Sequence, residues 1–289
     1  MEKNKGKEYL SEFAKDLKNP DLDVKVLALG MGMQSTALYL MSSMGLVDRC
    51  DIAVFSDPMS EHYKTYELLE WLLGWQKDNN GIHIEVVKKD LYKDVVTPMS
   101  RSKNGFNRYA SIPTHIKNSD GSKGISIRSC TMDYKIEPVT QSARKFMGLK
   151  RRQRLKPFEL WLGITTEEMQ RMKLNQNKKI FNRYPLIELG MSRSDCMSFM
   201  SDNDFPIPVK SACVFCPYHS DKFWLELKKE NGDAWKKSVA LDYKIRERKD
   251  ISLNGISYLH RSAVPLDKAY LQEDQIDMFD NECEGHCGL

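Results

Sequence analysis

Short apolar runs alternate with stretches of helical spacing through the first two thirds of the chain. Val24, Val26, Leu27, Ala28 and Leu29 form a run without helical period, and Cys50 to Phe55 forms a second; such runs suit strands covered on both faces. Ile82 to Val87 alternates as a third strand, and Phe158 to Ile164 reads as a fourth with Gly163 marking its ligand end. Between them, Ala37, Leu38, Leu40 and Met41 mark the apolar side of one helix. Tyr66, Leu69, Leu72 and Leu73 do so for a helix over Tyr63 to Trp75. Asp90 to Val96 begins another helical turn. Strands alternating with helices predict an α/β protein.

The pattern is less regular elsewhere. Met1 to Leu22 predicts a short polar helix ended by Asn19-Pro20. Pro98 to Ile127 is rich in Ser, Asn, Gly and Lys and longer than an ordinary connection, which suggests a substrate-covering loop with Arg108 and Lys117 available to phosphates. A basic helix is expected over Val139 to Phe146, and Ser192 with Asp195 three residues on predicts a capped helix. Helices over Asp221 to Glu230 and Ala234 to Arg248 precede a polar tail. The expected division is a nucleotide-binding α/β domain over residues 1–190 and a helical, cysteine-containing extension over 191–289.

Composition narrows the class. The chain has 289 residues, 41% of them hydrophobic, enough for a packed core. No segment approaches a membrane span and the charged N-terminus lacks a signal-peptide apolar region, so the expected location is cytoplasmic, with no membrane partner. Seven cysteines there read as thiols, metal ligands or redox groups rather than a disulfide framework. Net charge is +4, but residues 141–183 hold twelve Lys/Arg against Glu159, Glu167 and Glu168, a zone suited to nucleic acid or phosphates, or simply a solvated surface.

Candidate chemistry starts where the first strand ends. Gly30-Met31-Gly32 can turn tightly and bring backbone N–H groups to an anion, while Ser35 and Thr36 open the following helix. No Gly-Lys-Ser/Thr follows, so this is not a Walker loop, and the third glycine of a dinucleotide fingerprint is missing. Asp57 closes the second strand, where α/β sheets hold ligands, and is a candidate contact for adenine or ribose. Cys213-Val-Phe-Cys216 places two thiols on one turn, able to grip a metal ion or cluster, or to act as a redox pair. Further ligands would come from Cys130, Cys196 or His219. Four thiolates fit zinc as well as a 4Fe-4S cluster.

The segments GMGMQSTAL, VFSDPMSEHYKTYE, RSCTMDYKIEP, LGITTEE and YPLIELG together resemble the phosphoadenylyl-sulfate (PAPS) reductase-like branch of the PP-loop superfamily, over roughly residues 24 to 230. The loop is similar to the FGxQS form, with Gln34 where ATP pyrophosphatases carry Asp. The resemblance implies the adenine nucleotide alpha hydrolase-like fold, a three-layer parallel sheet of about five strands, with an adenine nucleotide, ATP or PAPS, at the strand carboxyl ends. Carried across, Gly30, Gly32, Gln34, Ser35 and Thr36 would hold phosphate or sulfate oxygens, Asp57 the nucleoside, and Arg128, Lys135 and Arg171 the developing charge. Gly163 joins the nucleotide site. Cys130 matches the position from which iron–sulfur members supply cluster cysteines, and Cys196 is the expected fourth ligand beside Cys213 and Cys216. The tail Cys283-Glu-Gly-His-Cys287-Gly-Leu289 is similar to the reductase tail whose cysteine attacks substrate sulfur, which makes Cys287 the candidate nucleophile.

Three functions are compatible with this reading. One is thiol-dependent reduction of adenylylated sulfate, drawing on a thiol reductant. Another is ATP-dependent iron–sulfur sulfurtransfer to tRNA or DNA, with a cysteine desulfurase as sulfur source. A third is nucleotide sensing without turnover.

Overall fold

The computed structural model describes residues 22–101, 107–248 and 255–272. The expected N-terminal helix over Met1 to Leu22 and the tail with Cys283 and Cys287 lie outside them, apart from Leu22 itself. Five parallel strands form the main sheet: β1 (Lys25–Ala28), β2 (Ile52–Asp57), β3 (Ile84–Lys88), β6 (Phe158–Trp161) and β7 (Ile180–Arg183), in the order β3-β2-β1-β6-β7. Val26 pairs with Ile52 on one side of β1 and with Leu160 on the other, while Phe158 pairs with Ile180. The chain winds outward through β2 and β3, then returns to lay β6 beside β1. Strand order therefore reverses between β1 and β6, where a crevice opens at the carboxyl ends of α/β strands.

Alternation along β1 assigns its faces. Leu27 and Leu29 enter a core with Ala37, Leu38 and Leu40 of helix α1 (Met33–Ser43), Leu69 and Leu72 of α2 (Tyr63–Asp78), and Met200 of α5 (Arg193–Asp202). Val26 and Ala28 enter the opposite core with Val139 and Ala143 of α4 (Glu137–Phe146). The result is the three-layer α/β sandwich that the sequence implies. Helix α1 is buried on every side from Met33 to Ser42, more than its one apolar stripe suggested, because α5 covers its remaining surface. The Ser192–Asp195 capping box forms as expected.

A third core joins α3 (Leu91–Val96) and Tyr134 to Val214, Phe215, Trp224 of α6 (Asp221–Glu230) and Leu241 of α7 (Gly232–Glu247). It thus unites segments on both sides of residue 190. Pro98 to Ile127 is not a plain loop: β4 (His115–Asn118) pairs with β5 (Lys123–Ile125) and, from the far end of the chain, with β8 (Gly255–Tyr258). The sequence missed this sheet because its strands are short and polar, with β8 supplying the partner from 137 residues beyond Asn118 (255 − 118).

Candidate nucleotide and thiol site

At the reversal of strand order, β1 runs through Leu29 and Gly30 into the amino end of α1. Met31, not a glycine, takes the left-handed conformation, at φ 60°, and is fully buried, while Gly32 caps the helix at φ −89°. A bulky residue held there marks a turn fixed by its surroundings. The first-turn N–H groups and the helix dipole favour an anion. Around them sit buried polar atoms with no hydrogen-bond partner among the described residues: Gln34 Oε1, Thr36 Oγ1, Thr165 Oγ1 and Arg171 Nη2. Such atoms are costly unless a ligand or water meets them. Ser35 turns inward instead, its hydroxyl donating to the Gly32 carbonyl at 3.2 Å.

Glu168, which sequence reasoning did not single out, organises this group. Its buried carboxylate accepts from Gln34 Nε2 at 3.2 Å and pairs with Arg171 Nη1 at 2.5 Å. The guanidinium is thereby aimed with Nη2 left over as a donor. Gln34, Thr165 and Glu168 also line a cavity of about 420 Å3 with Arg193 at the start of α5. Gly163 serves by close approach: a Cβ there would stand 2.7 Å from the Ser35 backbone. Asp57, 2% exposed, uses Oδ1 to accept from the Met59 N–H at 2.7 Å and the Tyr66 hydroxyl at 2.9 Å. Burial and that carboxylate raise the Tyr66 pKa, keeping it a donor.

The second half of the site caps the neighbouring strand. After β2, Glu61 bridges to Cys213, and the Val214 N–H donates to the Ser60 carbonyl at 2.8 Å, docking the CxxC turn against the carboxyl end of the sheet. His219, its pKa pushed down to about 3 by burial, donates Nε2–H to the Cys213 carbonyl at 2.8 Å. Cys130, Cys213 and Cys216 line one small cavity with Arg128, Lys135 and Pro58. Lys135 reaches buried Glu61 at 3.4 Å, and Ser211 donates to the same carboxylate at 3.1 Å. Three of the four expected thiols thus come together with two of the three expected cations, while Arg171 lies with Glu168 instead.

Cys196 does not join them. It is fully buried in the core under α1, beside Met200, because α5 turns this face toward the sheet. Cys50 is likewise structural, its thiol pKa pushed up to about 12 by burial. Among the described residues no three His, Cys, Asp or Glu side chains converge to hold a single ion. The three thiols line the walls of one small shared cavity of about 40 Å3.

Besides Arg171, three of the twelve cations of the basic zone are engaged within the structure. Arg144 donates to the carbonyls of Lys150 and Gln153, Lys145 pairs with Glu85, and Arg183 is held by Asp48, Glu159 and Glu188. These three tie loops and the sheet edge together.

No family model matches the chain, and no curated protein matches it. Among solved structures it is similar to the U34-tRNA thiolase NcsA from Methanococcus maripaludis with its 4Fe-4S cluster. The TM-score is 0.39 at 10% identity, over 95% of this chain and 91% of that one. No helix among the described residues is long and apolar enough to cross a membrane.

Proposed function

We propose that the chain is an adenine-nucleotide-dependent sulfurtransferase of the PP-loop type, acting on a nucleic-acid acceptor. The observation that carries this reading is the clustering of Cys130, Cys213 and Cys216 with Arg128 and Lys135 at the carboxyl end of β2, next to the strand that ends in the anion loop. ATP bound at Gly30 to Thr36 would be attacked at its α-phosphorus by an acceptor oxygen, releasing pyrophosphate and leaving that oxygen adenylylated. Hydrosulfide then displaces AMP, so oxygen is exchanged for sulfur without net oxidation. Helix N–H groups and Arg171 stabilise charge on the phosphates, and Arg128 and Lys135 do so beside the thiols. A cluster held by Cys130, Cys213 and Cys216 would supply an iron coordination position for the incoming sulfur.

Reduction of adenylylated sulfate is the second reading, favoured by Gln34. A neutral amide gives the loop no carboxylate to hold the magnesium of ATP, whereas a sulfuryl group needs only donors. Anaerobic protein supplied with ATP, hydrosulfide and unmodified RNA or DNA separates the readings through sulfur incorporation. Cys213→Ser should lose at least about 100-fold in rate, equivalent to about 2.7 kcal/mol, while Cys283→Ser/Cys287→Ser keeps it. Loss of activity only in the tail variant, with sulfite made from PAPS, would establish the reductase.

A further inference from the structure

Beyond the thiol cavity, on the far side of Arg128, lies an open pocket of about 560 Å3 between β5, β8 and the end of α7. Arg128 lines both spaces. Two more arginines, Arg246 and Arg248, complete a cationic wall, and no Asp or Glu lines the pocket among the described residues. Each guanidinium lies against a tyrosine ring. Arg128 stands 5.0 Å from the Tyr218 centroid, Arg248 4.3 Å from Tyr109, and Arg246 4.5 and 5.1 Å from Tyr243 and Tyr258. Stacking covers the apolar faces of each guanidinium and fixes its plane at the pocket wall.

Arg246 is the most firmly set. Its Nη1 pairs with Asp242 at 2.5 Å, and Asp242 is fixed by the N–H groups of Leu259 and Leu266 at 2.7 and 2.9 Å. Its Nη2 is buried with no partner among the described residues. The lining also carries exposed apolar side chains: Ile127 is 91% exposed, with Ile125 and Ile256 about half exposed. Stacked arginines and exposed isoleucines lining one pocket match the two parts of a nucleic-acid strand, its phosphates and its base and ribose faces.

We infer that this pocket binds the phosphodiester backbone of the acceptor strand and leads it past Arg128 to the thiol cavity. The inference rests on the sulfurtransferase reading for its ligand, yet it is tested without ATP, iron or turnover. The probe is a labelled single-stranded 12-mer, titrated by anisotropy at several salt concentrations. Arg248→Ala should weaken binding about ten-fold and lower the log–log salt slope by about 0.7 to 0.9. Arg248→Lys should restore the slope but not the full affinity. Ile127→Asp, at a position too exposed to affect folding, should weaken binding by its added negative charge. Unchanged affinity in both Arg248→Ala and Ile127→Asp overturns the assignment. So does competition by AMP or inorganic phosphate at the oligonucleotide's own concentration, which would make the pocket a mononucleotide or free-phosphate site. Absence of oligonucleotide binding sinks the inference while calorimetric ATP binding at the loop leaves the nucleotide half of the function standing. Oligonucleotide binding without ATP binding does the reverse.

Discussion

A carboxylate beside an anion site opposes anion binding unless it is neutralised, and Glu168 meets that condition by pairing with Arg171 while holding the Gln34 amide. Its role is to position. Glu168→Gln should keep the fold but release Arg171, weakening nucleotide binding about ten-fold by calorimetry; an unchanged Kd would remove Glu168 from the site. Gly163→Ala is more drastic, since its Cβ would press on the Ser35 backbone at 2.7 Å, which cannot swing aside as a side chain would. It should lose nucleotide affinity at least ten-fold, and undiminished binding would show that the loop can move. The sequence located Gly163 at the ligand end of its strand, but the close approach that makes glycine necessary belongs to another segment. Glu168 was illegible for the same reason: Gln34, its partner, lies 134 residues away.

At the scale of elements, the strands and the helices that follow them were legible because buried strands and amphipathic helices differ in period. The fifth strand β7 was not, since Ile180–Arg183 mixes apolar and polar residues at a sheet edge. The cysteines show the limit of motif spacing: Cys213 and Cys216 share a turn, Cys130 arrives from another segment, and only packing reveals that Cys196 points into the core. Cys196→Ala should therefore cost about 1 kcal/mol of stability and leave the content of any metal that co-purifies unchanged. Metal analysis showing loss of that metal would restore Cys196 as a ligand.

The lobe carrying the CxxC turn also has a pH dependence. His62 caps α2 by accepting from the Lys64 N–H, and His115 lies against the Pro217 carbonyl; burial lowers both pKa values below the ordinary 6.5. Their neutral forms are favoured in the folded chain. Above pH 6.5 that stability is fully present. Below it the unfolded chain takes up protons first, so stability falls, by at most about 1.4 kcal/mol per pH unit for each histidine. Thermal melts should show a lower Tm at pH 5.5 than at 7.5. His62→Gln/His115→Gln should reduce the difference and leave the part due to His219, whose pKa is also pushed down by burial; an undiminished dependence in that variant would remove His62 and His115 as its source.

For the whole molecule, the reversal of strand order places the glycine loop at the end of β1, and the third core and the Glu61–Cys213 bridge place the thiol turn at the end of the neighbouring β2. The most direct measurement follows from that adjacency. Anaerobically prepared protein is incubated in parallel with labelled ATP, together with acceptor nucleic acid and hydrosulfide, and with labelled PAPS plus a thiol reductant. AMP and pyrophosphate in the first, dependent on the acceptor and without sulfite in the second, is the predicted result. Sulfite from PAPS with no AMP from ATP would contradict it.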